Sequence, residues 1–203
     1  MSAERPTPPD SPTPKGHQRR TALLDAAEAI LGSSGGAELT MRAVADAAGV
    51  RLGHLQYYFP SRSALLAALL DRILAASLSR VAALSASGDP GAVLDTVLGE
   101  HEDLPLVRLF TEIWSMAAHD EESAAAVRAF YAAYAEHVTA FVRDYSAHPD
   151  PATAQARAEV FVMLMEGSSL FRSGITGRPG PETEAVLRST LLTLLEGGPH
   201  PGP

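Results

Sequence analysis

Between Gly49 and Arg62 the chain reads GVRLGHLQYYFPSR, which packs two arginines, a histidine, a glutamine and three aromatic rings into one short stretch. Buried, that mixture would strand polar groups at roughly 1–3 kcal/mol each. Spread over an ordinary surface, it would expose an unusual amount of ring. The flanking residues explain the combination. Val44, Ala48, Val50, Leu55 and Tyr58 are apolar at the positions that face inward when two short helices meet at a sharp turn. Ala45 is small where the second helix must cross, and Gly49 supplies the positive φ that the turn needs. This is a helix-turn-helix pattern, whose second helix enters the DNA major groove. An ordinary helical hairpin accounts for the apolar spacing, but not for Arg51, His54, Gln56 and Tyr57 standing out from the second helix. The chemistry on offer is recognition of base edges and phosphates.

The elements that must position these residues are helical. Leu23, Leu24, Ala27, Ile30 and Leu31 recur at helical steps until Gly32 and Gly35-Gly36 end the segment. Thr40 is an N-cap for a helix to Ala47, a second runs from about Arg51 to Tyr58, and Pro60 stops it. Ser61 then caps a longer helix to about Leu84. Further helices are separated by turn residues at 87–90, 103–105, 120, 148–151 and 174–181, and the last runs from about Glu182 to Leu195. Nothing alternates with period two, so the expected fold is all-α. A disordered, proline-rich tail is expected over 1–14, a DNA-binding unit over 15–60, a ligand-binding and dimerisation unit over 61–196, and a second tail over 197–203.

The stretches RRTALLDAAEAIL, LTMRAVADAAGV and GHLQYYFPSRSALLAALL together resemble the TetR family of bacterial transcriptional regulators over about residues 17–75. The resemblance implies a homodimer that a ligand, bound in the C-terminal domain, releases from a palindromic operator. In such a head Leu55, Tyr58 and Phe59 look inward, while Arg51, Leu52, Gly53, His54, Gln56 and Tyr57 look toward DNA. Gly53 lets backbone approach the duplex. Arg51 suits guanine, and Leu52 or His54 a thymine methyl or base edge. Tyr57, Thr40, Arg42 and Arg62 suit phosphate, and Lys15, Arg19 and Arg20 an adjacent phosphate or the minor groove. Two departures stand out: Arg51 occupies a position where the family often has a capping Ser or Thr, and Gln56 one where it commonly has a phosphate-binding Tyr.

In the remainder, Tyr131, Tyr134, Val138, Phe141, Val142 and Tyr145 form one stripe of a long helix, with Phe110 and Trp114 on the preceding one. Such a stripe is either core or the wall of a cavity. Glu166 follows six apolar residues and must be ion-paired, with Arg172 or Arg128, or else meet a cationic or amphipathic ligand. The candidate ligand set is Phe110, Trp114, Tyr131, Tyr134, Met163, Glu166 and Leu170. The run VFVMLM over 160–165 is apolar on every face, so one side should meet a partner. Val162, Met165, Ser169, Leu187, Leu191 and Leu194 are the expected dimer interface, arranged as an intermolecular four-helix bundle.

Bulk properties bound these readings. Residues 15–63 carry six basic and four acidic side chains, a net +2, whereas residues 64–203 carry nine and eighteen, a net −9. A mildly basic head on an acidic body suits a head that meets phosphate. The chain has no cysteine, and its seven histidines are never at zinc-ligand spacing, so no metal or other cofactor is expected. With no long apolar run and no signal-like leader in view, a cytoplasmic protein without a membrane anchor is expected. An enzyme would need a nucleophile with a base, or paired acids in a pocket. Glu100-His101-Glu102-Asp103, the one dense polar run, reads as a solvated helix end. No catalytic residue is expected. The alternative left open is a DNA-binding regulator without an effector.

Overall fold

The computed structural model describes residues 14–85, 89–100, 102–146 and 150–197, and all regular structure among them is helical. The expected tails over 1–14 and 197–203 fall outside the described residues except for Pro14, the first residue of α1, and Gly197, which closes the last helix at φ 78°.

Three helices make the head. In α1 (Pro14–Ser34), Leu23, Leu24, Ala27 and Leu31 are buried. The helix runs through Gly32 and ends at Gly35, whose φ of 85° suits a residue without Cβ. A 3-10 turn over Gly36–Glu38 leads to α2 (Met41–Ala47), capped as expected by Thr40, whose Oγ1 accepts from the Ala43 amide at 3.1 Å. Gly49, at φ 66°, makes the turn into α3 (Leu52–Tyr58), and the Val50 amide closes that turn on the Ala45 carbonyl at 2.9 Å. Seven residues are too few for a helix stable on its own. What holds α3 is the burial of Leu55 and Phe59 against Leu24, Val44 and Ala45.

The rest of the chain forms α4 (Arg62–Ser85), α5 (Pro90–Glu100), α6 (Leu104–Ala117), α7 (Glu121–Tyr145), α8 (Pro151–Arg172) and α9 (Pro181–Glu196). Ser61, Asp120 and Asp150 cap α4, α7 and α8 by accepting amides of the first turn. Two apolar clusters hold these elements together. The first starts in the head, continues along α4 through Leu65, Leu66 and Leu69, and reaches Ile113 of α6 and Phe130 of α7. The second joins Leu94, Val142, Ala158, Met165 and Leu191 of α5, α7, α8 and α9. Each leucine buried in this way contributes about 1.5–3 kcal/mol relative to full exposure.

Polar ties cross between the layers. Arg72 of α4 binds Asp25 and Glu28 of α1. The Gly36 amide donates to Glu112 Oε2 of α6 at 2.8 Å, and the Gly36 carbonyl accepts from Arg62 Nη2 of α4 at 2.7 Å. Arg172, buried, bonds Glu102 and Glu184 and so fastens α8 to the end of α5 and to α9. The acidic run at 100–103 is a solvated helix end only in part: Glu102 and Asp103 are exposed just beyond α5, whereas Glu100 is half-buried. Glu100 accepts from Ser77 and Arg80 at 2.8 and 2.6 Å, and Glu102 holds Arg172. His101 lies outside the described residues.

Two glycines predict opposite responses to alanine. A Cβ on Gly36 would sit 2.6 Å from Met116 Cγ, so Gly36→Ala should cost about 1–3 kcal/mol through overpacking. Gly53, helical and open on its outer side, should gain about 0.5–1 kcal/mol. Urea unfolding of the two variants measures both.

Candidate DNA-binding surface and ligand cavity

Burial of Leu55 and Phe59, with Tyr58 packed against the same cluster, fixes which side of α3 faces out. Arg51, Gly53, Gln56 and Tyr57 are exposed, Tyr57 at 65%, while Leu52 and His54 are half-buried at the edge of the same face. The Tyr57 ring stands edge-on to Tyr58 with centroids 5.2 Å apart, which keeps it directed outward. Arg19 of α1 reaches His54, Nη1 to Nε2 at 3.3 Å. Because arginine only donates, the imidazole accepts at Nε2 and its proton lies on Nδ1. Two residues predicted to meet DNA separately thus form one unit. Lys15, Thr40 and Arg42 are exposed, and the Thr40 hydroxyl, although it accepts from Ala43, keeps its own proton to donate.

Two predicted contacts are placed differently. Arg20 is half-buried with its guanidinium 5.3 Å from the Phe59 ring centroid, a cation–π arrangement inside the head. Arg62 is half-buried and spends a donor on the Gly36 carbonyl. Its charge also lies near Asp120, a carboxyl held below its ordinary range first by the Ser123 hydroxyl and amide and then by Arg62. Both corrections have one cause: a long cationic stem covers apolar surface whenever the backbone offers an inward acceptor or a ring.

In the body, a cavity of about 60 Å3 lies between α4, α5, α6, α7 and α8. Phe110, Phe130, Tyr134, Glu166 and Ser169 line it, with Ile73, Leu74 and Ser77 from α4. A second cavity of about 70 Å3 adjoins it. The Trp114 indole donates to the Tyr131 hydroxyl at 2.9 Å, and that hydroxyl in turn serves Glu166. Burial pushes the Glu166 carboxyl up to about 7, against the opposing hydrogen bond from Tyr131. Burial, and then the Glu166 charge, also raise the Tyr131 and Tyr134 hydroxyls. Among the described residues no cation pairs with Glu166. Arg128 bonds Glu121, and Arg172 bonds Glu102 and Glu184, so neither arginine suggested by the sequence is its partner.

Of the predicted ligand residues, Phe110, Tyr134 and Glu166 line the cavity, with Trp114 and Tyr131 behind them in the hydrogen-bonded chain. Leu170 is half-buried off the lining, and Met163 is 67% exposed, away from it. The inward face of α8 is set by Phe161, Val162, Met165 and Ser169, and Met163 falls on the other side. The α4 wall was missed because Ile73 and Leu74 share the pattern of ordinary core residues.

That register also corrects the predicted partner-facing residues. Val162, Met165, Ser169 and Leu191 are buried within the chain itself, and Leu187 and Leu194 are half-buried against the same cluster. The outward apolar residues are Val160, Met163 and Phe171 of α8, Ile175 just beyond it, and Val186 of α9. Within the single chain this helix, apolar on every face, is covered on one side, and Val160 and Met163 stand exposed on the other. The sequence pattern alone did not say which side was which.

Comparison with known proteins follows the same division. The family model for bacterial regulatory proteins of the tetR family matches residues 23–69. An uncharacterized HTH-type transcriptional regulator in the dhlA 5' region of Xanthobacter autotrophicus is 35% identical over 189 residues, covering 89% of this chain and 90% of its own. The crystal structure of a TetR-family transcriptional regulator from Rhodococcus sp. superposes with a TM-score of 0.74 at 22% identity, over 88% of this chain and 99% of that one. A multidrug binding protein, EbrR, solved with imidazole, superposes with a TM-score of 0.65 at 29% identity, over 91% and 97%.

Glu166 predicts a pH-dependent stability. Between the ordinary glutamate value near 4.5 and about 7, the folded chain keeps a proton on Glu166 that the unfolded chain has lost. This residue's contribution to stability therefore falls as pH rises through that window. Glu166→Gln should be more stable than the wild type at pH 8, by up to roughly 3 kcal/mol, with the gap closing by pH 5. Denaturant unfolding at the two pH values tests this, and a pH-independent gap would mean that the carboxyl is solvated.

Proposed function

We propose that this chain, which belongs to the TetR family of bacterial regulatory proteins, is a homodimeric cytoplasmic repressor that a small amphipathic molecule releases from a palindromic operator. The observation that carries the DNA-binding part is α3, anchored by Leu55 and Phe59 and presenting Arg51, Gly53, His54, Gln56 and Tyr57 outward. Residues 15–60 act as the reading unit, and residues 61–196 bind ligand and form the dimer. Arg51 reads a base. Thr40, Arg42, Tyr57, Lys15 and the Arg19–His54 pair position the head on the backbone.

The effector reading rests on Glu166, a carboxylate without a cationic partner facing a cavity with aromatic walls. A cation gains charge attraction and ring contacts there. At about 60 Å3 the cavity is far below the roughly 300 Å3 of ordinary ligand sites, so a ligand must widen it. Both α4 and α6 line it, and both also hold Gly36, through Arg62 and Glu112. Widening therefore moves the supports of the head. In a dimer, half-sites one helical turn apart, about 34–36 Å, then cease to match. Ligand and operator weaken one another by the same factor. The outward faces of α8 and α9, with Met163, Phe171 and Val186, form the four-helix dimer contact.

Footprinting on the DNA flanking its own gene should protect an inverted repeat, and a cationic amphiphile should remove the protection. Absence of any preference for inverted-repeat over scrambled DNA would overturn the proposal. Arg51→Ala should lower affinity for the protected sequence about 10- to 100-fold and relax its preference. Arg42→Ala should weaken specific and random DNA alike and reduce the salt slope by about one. Gly53→Ala should bind DNA more weakly although its fold is no less stable. Met163→Glu should sediment as a folded monomer, and a variant that remains dimeric would place the contact elsewhere.

A further inference from the structure

We propose that the two body cavities are halves of one divided site for an organic cation carrying a single aliphatic chain, with Tyr134 as the movable partition between headgroup and tail. The inference rests on the ligand-binding reading above and specifies the shape and chemistry of its ligand.

The two chambers differ in chemistry and share a wall. The front chamber holds two carboxylates, and their states differ: Glu100 is engaged by Arg80 and Ser77, while Glu166 has no cationic partner among the described residues. Phe110, Phe130 and Tyr134 add ring faces, so the front chamber suits a positive headgroup. The rear chamber is lined by Val93, Leu94, Val138, Phe141 and Phe161, with His137 and the shared Tyr134 its ionisable neighbours. An uncharged tail fits there and a second charge does not. Leu74, Ser77, Val97 and Tyr134 line both chambers.

Tyr134 is the one shared residue with a large ring on a rotatable stem. No hydrogen bond among the described residues holds its hydroxyl, unlike that of Tyr131, which Trp114 fixes at 2.9 Å. Turning it aside therefore breaks no polar contact. Its nearest ring is Phe130, at 6.2 Å between centroids and tilted, and its side chain packs against both apolar clusters, so it stands between the two chambers on apolar contacts alone. A short cation would stop in the front chamber, whereas a longer chain gains the apolar rear only after displacing the partition. Chain length is then the variable that the site reads.

The chain's single tryptophan, Trp114, adjoins the front chamber through Tyr131 and reports binding by its fluorescence. The full-length protein is titrated at pH 7.5 with n-alkyltrimethylammonium ions of four to ten carbons, and with 1-alkanols of the same lengths. Affinity for the cations should rise by about fourfold per methylene until the rear chamber is full, then level off. Val138→Phe, which fills the rear chamber, should abolish that rise while the shortest cation still binds. Tyr134→Ala should let the rise begin at shorter chains and Tyr134→Phe should leave it unchanged, which keeps the test valid if Val138→Phe does not fold. Glu166→Gln should weaken every cation about tenfold or more and leave the alkanols as they were. Equal affinity for short and long cations, or an undiminished rise in Val138→Phe, overturns the divided site while leaving an effector pocket in place. If no compound of either series binds, the ligand-binding reading fails and this inference with it.

Discussion

One residue, Gly36, is held from two directions. Its amide is bonded by Glu112 of α6, its carbonyl by Arg62 of α4, and its α-carbon packs so closely on Met116 that no Cβ fits. The three contacts fix where the turn between α1 and α2 sits, and thereby where α2 and α3 sit relative to the body. Neither of the last two helices exceeds seven residues, so their positions are set by what grips them rather than by their own stiffness. The half-buried arginine expected on the duplex holds the head instead.

The same two helices that hold Gly36 also wall the cavity, and the apolar cluster is continuous from Leu24 in the head to Phe130 in α7. Packed interiors transmit displacement because they have few voids in which to absorb it. The cavity beside Glu166 is one place where this chain has kept both a void and an uncompensated carboxyl. That pairing costs stability, and the neighbouring ion-pair nodes at Arg172 and Arg72 show that the chain readily supplies arginine where compensation is needed.

The head was legible in the sequence because backbone demands there are local. Gly49 needs a positive φ, Thr40 caps the next turn, and Leu55 must be buried for seven residues to stay helical. The all-α body was legible from the periodicity, as was the pairing of Phe110 and Trp114 with the tyrosine stripe. What could not be read was the rotation of helices that are apolar on every side. Val162, Met165 and Leu191 were expected outside and lie inside, whereas Met163 was expected in the pocket and lies outside. Long cationic side chains posed the matching problem in the head, since Arg20 and Arg62 were free, by sequence alone, to point either way. Both errors arise where hydrophobic pattern leaves several orientations equivalent and tertiary packing chooses among them.

The way α3 is anchored has an evolutionary corollary. Its structural needs are met by Leu52, Leu55, Tyr58 and Phe59, so the outer positions 51, 53 and 56 answer to the nucleotide sequence and hardly at all to the fold. A lineage can therefore exchange those letters, and drift from one control region to another, without first acquiring stabilising changes elsewhere. Adaptation of the reading surface and maintenance of the scaffold proceed on separate sets of codons.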